Sequence, residues 1–287
     1  MQLCDFLNAV FAKGKPMLLA IDAGNTTVCF AVLELVADPV IKVQWHTYTS
    51  EKRTSDEWGA WLVSMLGHAG LSIKDIKGCI IACVVPDILE DLKDLCMKYF
   101  CANPMVVGDT GVALNIEIKT DNPPEVGADL LSAAVAAGKL YQPPLFVLSM
   151  GTATTLSLVD EGGVFAGVAI APGIDLAIAA LSKGAANLPP VCFKRPKKVI
   201  ETATVPCIQA GIYWGMIGLV KGLIFRAQQE FKGPDLPVIA TGGYARMIIK
   251  EMSSAIELDS DLVLKGLQII HRYNQSNSQS KTIRVVA

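Results

Sequence analysis

Chemistry in this chain concentrates in two short polar turns that interrupt strongly apolar runs. The first is Asp22-Ala23-Gly24-Asn25-Thr26, inside Met17 to Leu33 (MLLAIDAGNTTVCFAVL). A strand ending in Asp and followed by Gly, Asn and Thr sets a carboxylate, exposed backbone N–H groups and hydroxyls at one hairpin tip. Such a tip can hold a metal-bound polyphosphate, because N–H dipoles and a metal-liganding carboxylate offset concentrated negative charge. The same residue types also build ordinary hairpin turns. The second turn, Gly151-Thr152-Ala153-Thr154, lies in Leu145 to Asp160 (LFVLSMGTATTLSLVD) and repeats the strand–turn–strand pattern. Aligning Gly24 with Gly151 sets Asp22 opposite Ser149, 127 positions later, with Asn25 against Thr152 and Thr27 against Thr154. A hairpin unit repeated at domain-length spacing indicates two similar domains. If their tips face each other they form a cleft, and the Thr241-Gly242-Gly243 turn could border a nucleotide base.

The elements that must position these turns follow from periodicity. Ile41 to Thr49 alternates in period two and is expected to be a third strand beside the first hairpin. Thr54 or Ser55 is placed to cap a helix carrying Trp58, Trp61, Leu62, Met65 and Leu66 on one face. Gly78 to Pro86 (GCIIACVVP) reads as a strand buried on both faces, followed by a helix over Asp87 to Phe100 and a short strand over Pro104 to Gly108. After the turn-rich Thr120-Asp121-Asn122-Pro123-Pro124 comes an Ala-rich helix from Leu130 to Leu140. The second half repeats the order: a hairpin, a strand over Gly163 to Ile170, and helices over Ile174 to Ser182 and Ile208 to Phe231. A strand over Pro237 to Ala240 and a helix from Leu262 complete it. The architecture expected is α/β.

Composition narrows the function classes. The chain has 287 residues, 52% hydrophobic and 18% charged, with a net charge of −2. Without a basic block there is no electrostatic footprint for nucleic acid. Low charge density leaves room for apolar surface covered by a second subunit. The eight cysteines are scattered with no C-x-x-C pair, so neither a zinc site nor a secreted disulfide framework is expected. Apolar runs are cut by charge or Gly before about 18 residues, so no membrane span is expected, and the chain reads as cytoplasmic. Met1 to Ala12 reads as a short amphipathic helix. His46, His68 and His271 are isolated and read as structural or solvated.

On these residues the chain resembles the type III pantothenate kinases of the actin-like ATPase superfamily. Asp22-Ala23-Gly24-Asn25-Thr26 resembles the family's first phosphate motif and Gly151-Thr152-Ala153-Thr154-Thr155 its second. Asp121-Asn122-Pro123 with Glu125-Val126-Gly127-Ala128-Asp129 resembles the segment that carries the catalytic aspartate. Ala171-Pro172-Gly173, Leu188-Pro189, Gly211 and Thr241-Gly242-Gly243 also fall in order. The resemblance implies two actin-like (ribonuclease H-like) domains facing a central cleft: residues 17–122, then 123–287, after a helical extension over 1–16. It implies ATP-dependent phosphorylation of pantothenate, the first step of coenzyme A synthesis, with Mg2+ and, as a further candidate, a monovalent cation (K+ or NH4+). Asp22 would organise the metal and phosphates, and Gly24, Asn25 and Thr26 would cradle them. Gly151, Thr152, Ala153 and Thr154 would hold the nucleotide, with Gly242 and Gly243 bordering the adenosine. Asp129 would accept the substrate hydroxyl proton, and Gly127 and Ala128 would line the substrate. A homodimer is implied, with a heterodimer with a paralogue as the alternative.

The departures from the family pattern fall around the same residues. Leu130 stands where the family carries Arg, Ser149 where it carries Asp, Thr120 where it carries Tyr and Ala185 where it carries Thr. They keep open a degenerate kinase paralogue that senses a ligand, regulates a partner or completes a hetero-oligomer, or a kinase for a different small alcohol.

Overall fold

The computed structural model describes residues 16–49, 53–231, 234–252 and 256–283, with side chains described as far as residue 277. The helix expected over Met1 to Ala12 lies outside the described residues.

Two five-stranded sheets share one plan. The first runs β1 (Met17–Ala23), β2 (Thr27–Glu34), β3 (Val40–Tyr48), α1 (Ser55–His68), β4 (Ile76–Cys83), α2 (Pro86–Phe100) and β5 (Met105–Val106), in spatial order β3-β2-β1-β4-β5. After α3 (Ala128–Leu140) the second runs β6 (Leu145–Met150), β7 (Ala153–Val159), β8 (Phe165–Pro172), α4 (Ile174–Gly184) and α5 (Thr204–Gln229). It continues through β9 (Val238–Thr241), α6 (Ala245–Ile249) and β10 (Ile256–Leu258), in order β10-β9-β6-β7-β8. Each sheet opens with an antiparallel three-strand meander and adds two parallel strands through helical crossovers. The repeat seen in sequence is therefore a repeat of topology. Its closing members, α6 and β10, are too short to carry a periodic signal.

Local chemistry accounts for most boundaries. Thr54 caps α1: its hydroxyl accepts from Glu57 N–H while Thr54 N–H donates to Glu57 Oε2 at 2.8 Å, a reciprocal capping box. Pro86 opens α2, where its missing N–H costs no intrahelical bond. β1 is apolar on both faces because it is central, whereas β3 alternates exposed and half-buried positions at an edge. Phe30, Trp58 and Trp61 pack as one aromatic cluster, with ring centroids 5.1 to 6.3 Å apart, so the two tryptophans belong to the core of the first sheet.

The chain divides into two compact units. Among the described residues the first holds 16–116, 122–136 and 262–283, and the second holds 117–121 and 137–261. The last helix, α7 (Leu262–Ile283), expected within the second domain, packs instead against β1 and β4 of the first sheet. Gln268 Nε2 there donates to the Glu34 carbonyl at 2.8 Å. Residues 117–121 join the second unit through a bridge between Ile118 and Phe165. In that unit α5 contributes Tyr213, Met216, Ile217 and Val220 to the core under β6 and β9. By length and composition alone α5 could cross a membrane, where no span was expected, but it is also the helix that supplies this core.

Candidate active site

Within the first unit, β1 delivers Asp22 to the end of the sheet, paired in register with Cys29 on β2 and Ala82 on β4. The turn that follows is fixed by backbone bonds. Gly24 N–H donates to the Thr27 carbonyl at 3.0 Å, and Val84 N–H to the Ala23 carbonyl at 3.0 Å. Thr49 adds a bond the sequence reading did not foresee, its hydroxyl donating to the Gly24 carbonyl at 2.6 Å. Asn25 and Thr26 are exposed at the tip.

Asp129 enters the same unit from the first turn of α3. Gly127 makes room for its carboxylate: a Cβ there would fall 2.6 Å from Asp129 Oδ1 and 3.6 Å from Val84. The Leu130 N–H and its own N–H favour the charged form, but burial outweighs them and raises the Asp129 carboxyl. For Asp22, burial first and the charge of Asp129 second push the carboxyl up to about 7. The two half-buried acids are thus within reach of each other's charge, and among the described residues no basic group shifts either one. Cys83, half-buried at the end of β4, bonds the Val85 carbonyl at 3.1 Å; burial, and then the charge of Asp22, raise its thiol.

The second unit builds its own polar end. Gly151 N–H donates to the Ala153 carbonyl at 3.1 Å, closing the β6–β7 turn. Gly173, at the N-terminus of α4, donates to the Thr152 carbonyl at 3.1 Å. A Cβ on Gly173 would collide with the carbonyl oxygens of Thr152 and Gly151. Gly242, just past β9, has φ +96°, and a Cβ there would lie 2.5 Å from the Met150 carbonyl oxygen. The Gly151-Thr152 turn, Gly173 and the Gly242-Gly243 turn are therefore neighbours at one end of the second sheet. Tyr244, next along, donates from its hydroxyl to Asp175 Oδ1 at 2.7 Å, a contact no local pattern announces. Thr154 is fully buried on β7 and its hydroxyl has no partner among the described residues, whereas Thr152 and Ala153 remain partly accessible. Ser149 pairs across the sheet with Thr155 and Thr241.

A model of the type III pantothenate kinase family matches residues 18–226. The type III pantothenate kinase of Paramagnetospirillum magneticum is 48% identical over 260 residues, covering 91% of this chain and 98% of the relative. The chain belongs to the type III pantothenate kinase family. Among the family's members, the Rhodospirillum rubrum kinase is 47% identical over 259 residues, covering 90% and 99%. That of Halalkalibacterium halodurans is 41% identical over 258 residues, covering 90% and 100%. Solved structures share the fold at much lower identity. The activator of the 2-hydroxyisocaproyl-CoA dehydratase from Clostridium difficile, with bound ADPNP, superposes with a TM-score of 0.54 at 14% identity over 93% of this chain and 97% of that one. MreB 5 of Spiroplasma citri bound to AMPPNP gives 0.51 at 10% identity over 93% and 99%. The actin-like architecture expected from the motifs is thereby shown.

The residues present suit Mg2+. The described residues hold no cluster of three or more His, Cys, Asp or Glu groups able to enclose a metal. Mg2+ does not need one, since it is held through one or two carboxylates and completed by waters and substrate phosphates. Two mutually repelling, uncompensated carboxyls are a donor set that a divalent cation would relieve.

Proposed function

We propose that the chain transfers the γ-phosphoryl group of ATP to the primary hydroxyl of pantothenate, opening coenzyme A synthesis. The observation that carries this reading is the Asp22–Asp129 pair in a member of this family. Phosphoryl transfer depends mainly on positioning and charge neutralisation, with one carboxylate to orient the nucleophile. Asp129, its carboxyl raised by burial, is a stronger base than an ordinary carboxylate and would accept the hydroxyl proton, and Gly127 and Ala128 would border that hydroxyl. Asp22 would hold Mg2+, which when bound neutralises charge on the phosphate oxygens. Gly24, Asn25 and Thr26 offer backbone and side-chain donors to phosphate, and Gly151, Thr152 and Ala153 with Gly242 and Gly243 are assigned to the nucleotide, whereas Thr154, expected there too, is fully buried on β7 and supports the turn from beneath. A K+ or NH4+ ion is a further candidate beside the phosphates. The reading includes a cytoplasmic location, as expected from the sequence.

A homodimer fits the surface of α5. Cys207, Gly211, Gly215, Gly218, Gly222 and Phe225 recur at helical spacing on an exposed, uncharged face, and a Cβ on any of the four glycines would meet nothing within 4 Å. Such a face allows a second helix to approach closely. Leu176 and Leu181 are exposed on α4 of the same unit.

Purified protein with MgATP and pantothenate in a coupled ADP-release assay tests the activity. Turnover above an Asp129→Asn control is expected; none would overturn it. A second reading, a degenerate paralogue that binds without turnover or completes a hetero-oligomer, draws on Leu130, which sets a half-buried apolar side chain directly after Asp129. Nucleotide binding by calorimetry without ADP release would favour it.

A further inference from the structure

The first unit carries a cavity of about 310 Å³ beside the start of β4, where Lys74, Lys77, Gly78, Asn103, His271 and Gln275 contribute to its wall. It is separate from the acidic pair: Asp22 lies level with Ala82 near the far end of β4. Gly78 to Cys83 spans roughly 16 Å at about 3.3 Å per residue.

His271, on α7, is only 3% exposed, and its Nδ1 has no hydrogen-bond partner among the described residues. Burial pulls the imidazole down to about 4, so at neutral pH the ring is uncharged and offers one donor and one acceptor. The ring is also wedged in place, since a Cβ on Gly78 would lie 2.6 Å from its Nε2. Buried polar atoms in folded proteins are nearly always partnered. Nδ1 is itself sealed from the cavity, so a ligand there would meet the part of the ring that lines the wall, the Nε2 side facing Gly78. The volume far exceeds the roughly 30 Å³ share of a single water and reaches the lower range of ligand sites, about 300–1,000 Å³. The wall contains two lysines and no carboxylate.

We propose that this cavity is a second ligand site, for a small organic anion whose carboxylate or phosphate meets Lys74 and Lys77 while its polar end bonds His271. The proposal does not depend on the kinase reading.

The chain has three histidines, so ¹⁵N imidazole signals of the full-length protein can be assigned with a His271→Gln variant. Succinate and inorganic phosphate are titrated separately at constant ionic strength, with glycerol as the neutral control. A saturable shift of the His271 ring in one or both anions is expected, and the active probe tells carboxylate from phosphate recognition. Lys77→Glu, a change at an exposed position, should raise the half-saturating concentration at least about 10-fold without altering the melting temperature. No shift with either anion, an equal shift in glycerol, or an unchanged response in Lys77→Glu would overturn the proposal, leaving the cavity to water.

Discussion

Asp129 stands close enough to Asp22 within the first unit for its charge to add to burial in holding the Asp22 carboxyl up at about 7. The two residues are 107 positions apart in sequence, joined by the β1–β2 turn on one side and the first turn of α3 on the other.

The raised Asp22 carboxyl makes folding depend on pH in a stated direction. Its folded value, about 7, exceeds the ordinary 3.8, so the folded state holds the proton more tightly and the unfolded state releases it first. The stabilisation is present at low pH and is lost as pH rises from about 3.8 to about 7. Asp22→Asn should therefore be more stable than the natural protein at pH 8, by on the order of a few kcal/mol, and equal to it near pH 4. Urea melts across that range check it.

Asp129→Asn should lower kcat by about 10²–10⁴-fold, the usual worth of a positioned base, while ATP affinity stays within a few-fold. It should also let the Asp22 carboxyl fall, because one of its two perturbing influences is gone. Steady-state kinetics and a pH titration of the variant read both effects.

Leu130→Arg would restore a guanidinium beside Asp129. A charge-assisted hydrogen bond to a carboxylate contributes roughly 1.5–3 kcal/mol, so KM for pantothenate should fall about 10- to 150-fold. Initial-rate kinetics with varied pantothenate measure it. Unchanged KM would mean that the substrate carboxylate does not approach this helix.

Gly173→Ala should disturb the Gly151-Thr152 turn, because the added methyl collides with two turn carbonyls that cannot retreat. A loss of about 1–3 kcal/mol in stability is expected from such overpacking, together with weaker nucleotide binding. Thermal melts with and without MgATP separate the two effects.

Gly215→Trp would fill the centre of the exposed glycine face on α5, where a Cβ meets nothing. The isolated fold should be unaffected and a homodimer should dissociate. Light scattering coupled to size exclusion reads the mass.

The sequence by itself determined the local chemistry and the repeat. The apolar runs of β1 and β4, the alternation of β3, the Thr54–Glu57 cap and the two polar turns depend on nearest neighbours and short periods, which a linear chain displays directly. Ordered motifs from Asp22 to Gly243 also sufficed to place the chain in its family. Tertiary structure alone decided what each buried face meets. Nothing local says that α7 returns to β1 and β4, that Thr49 bonds Gly24, or that Tyr244 reaches Asp175. Nor could it say that Thr154 turns inward while Thr152 stays accessible, or that His271 is walled in without a partner. Periodicity records that a face is buried, not against what. Desolvation and charge coupling depend on distances through space, so the perturbed state of Asp22 exists only once Asp129 has been folded against it.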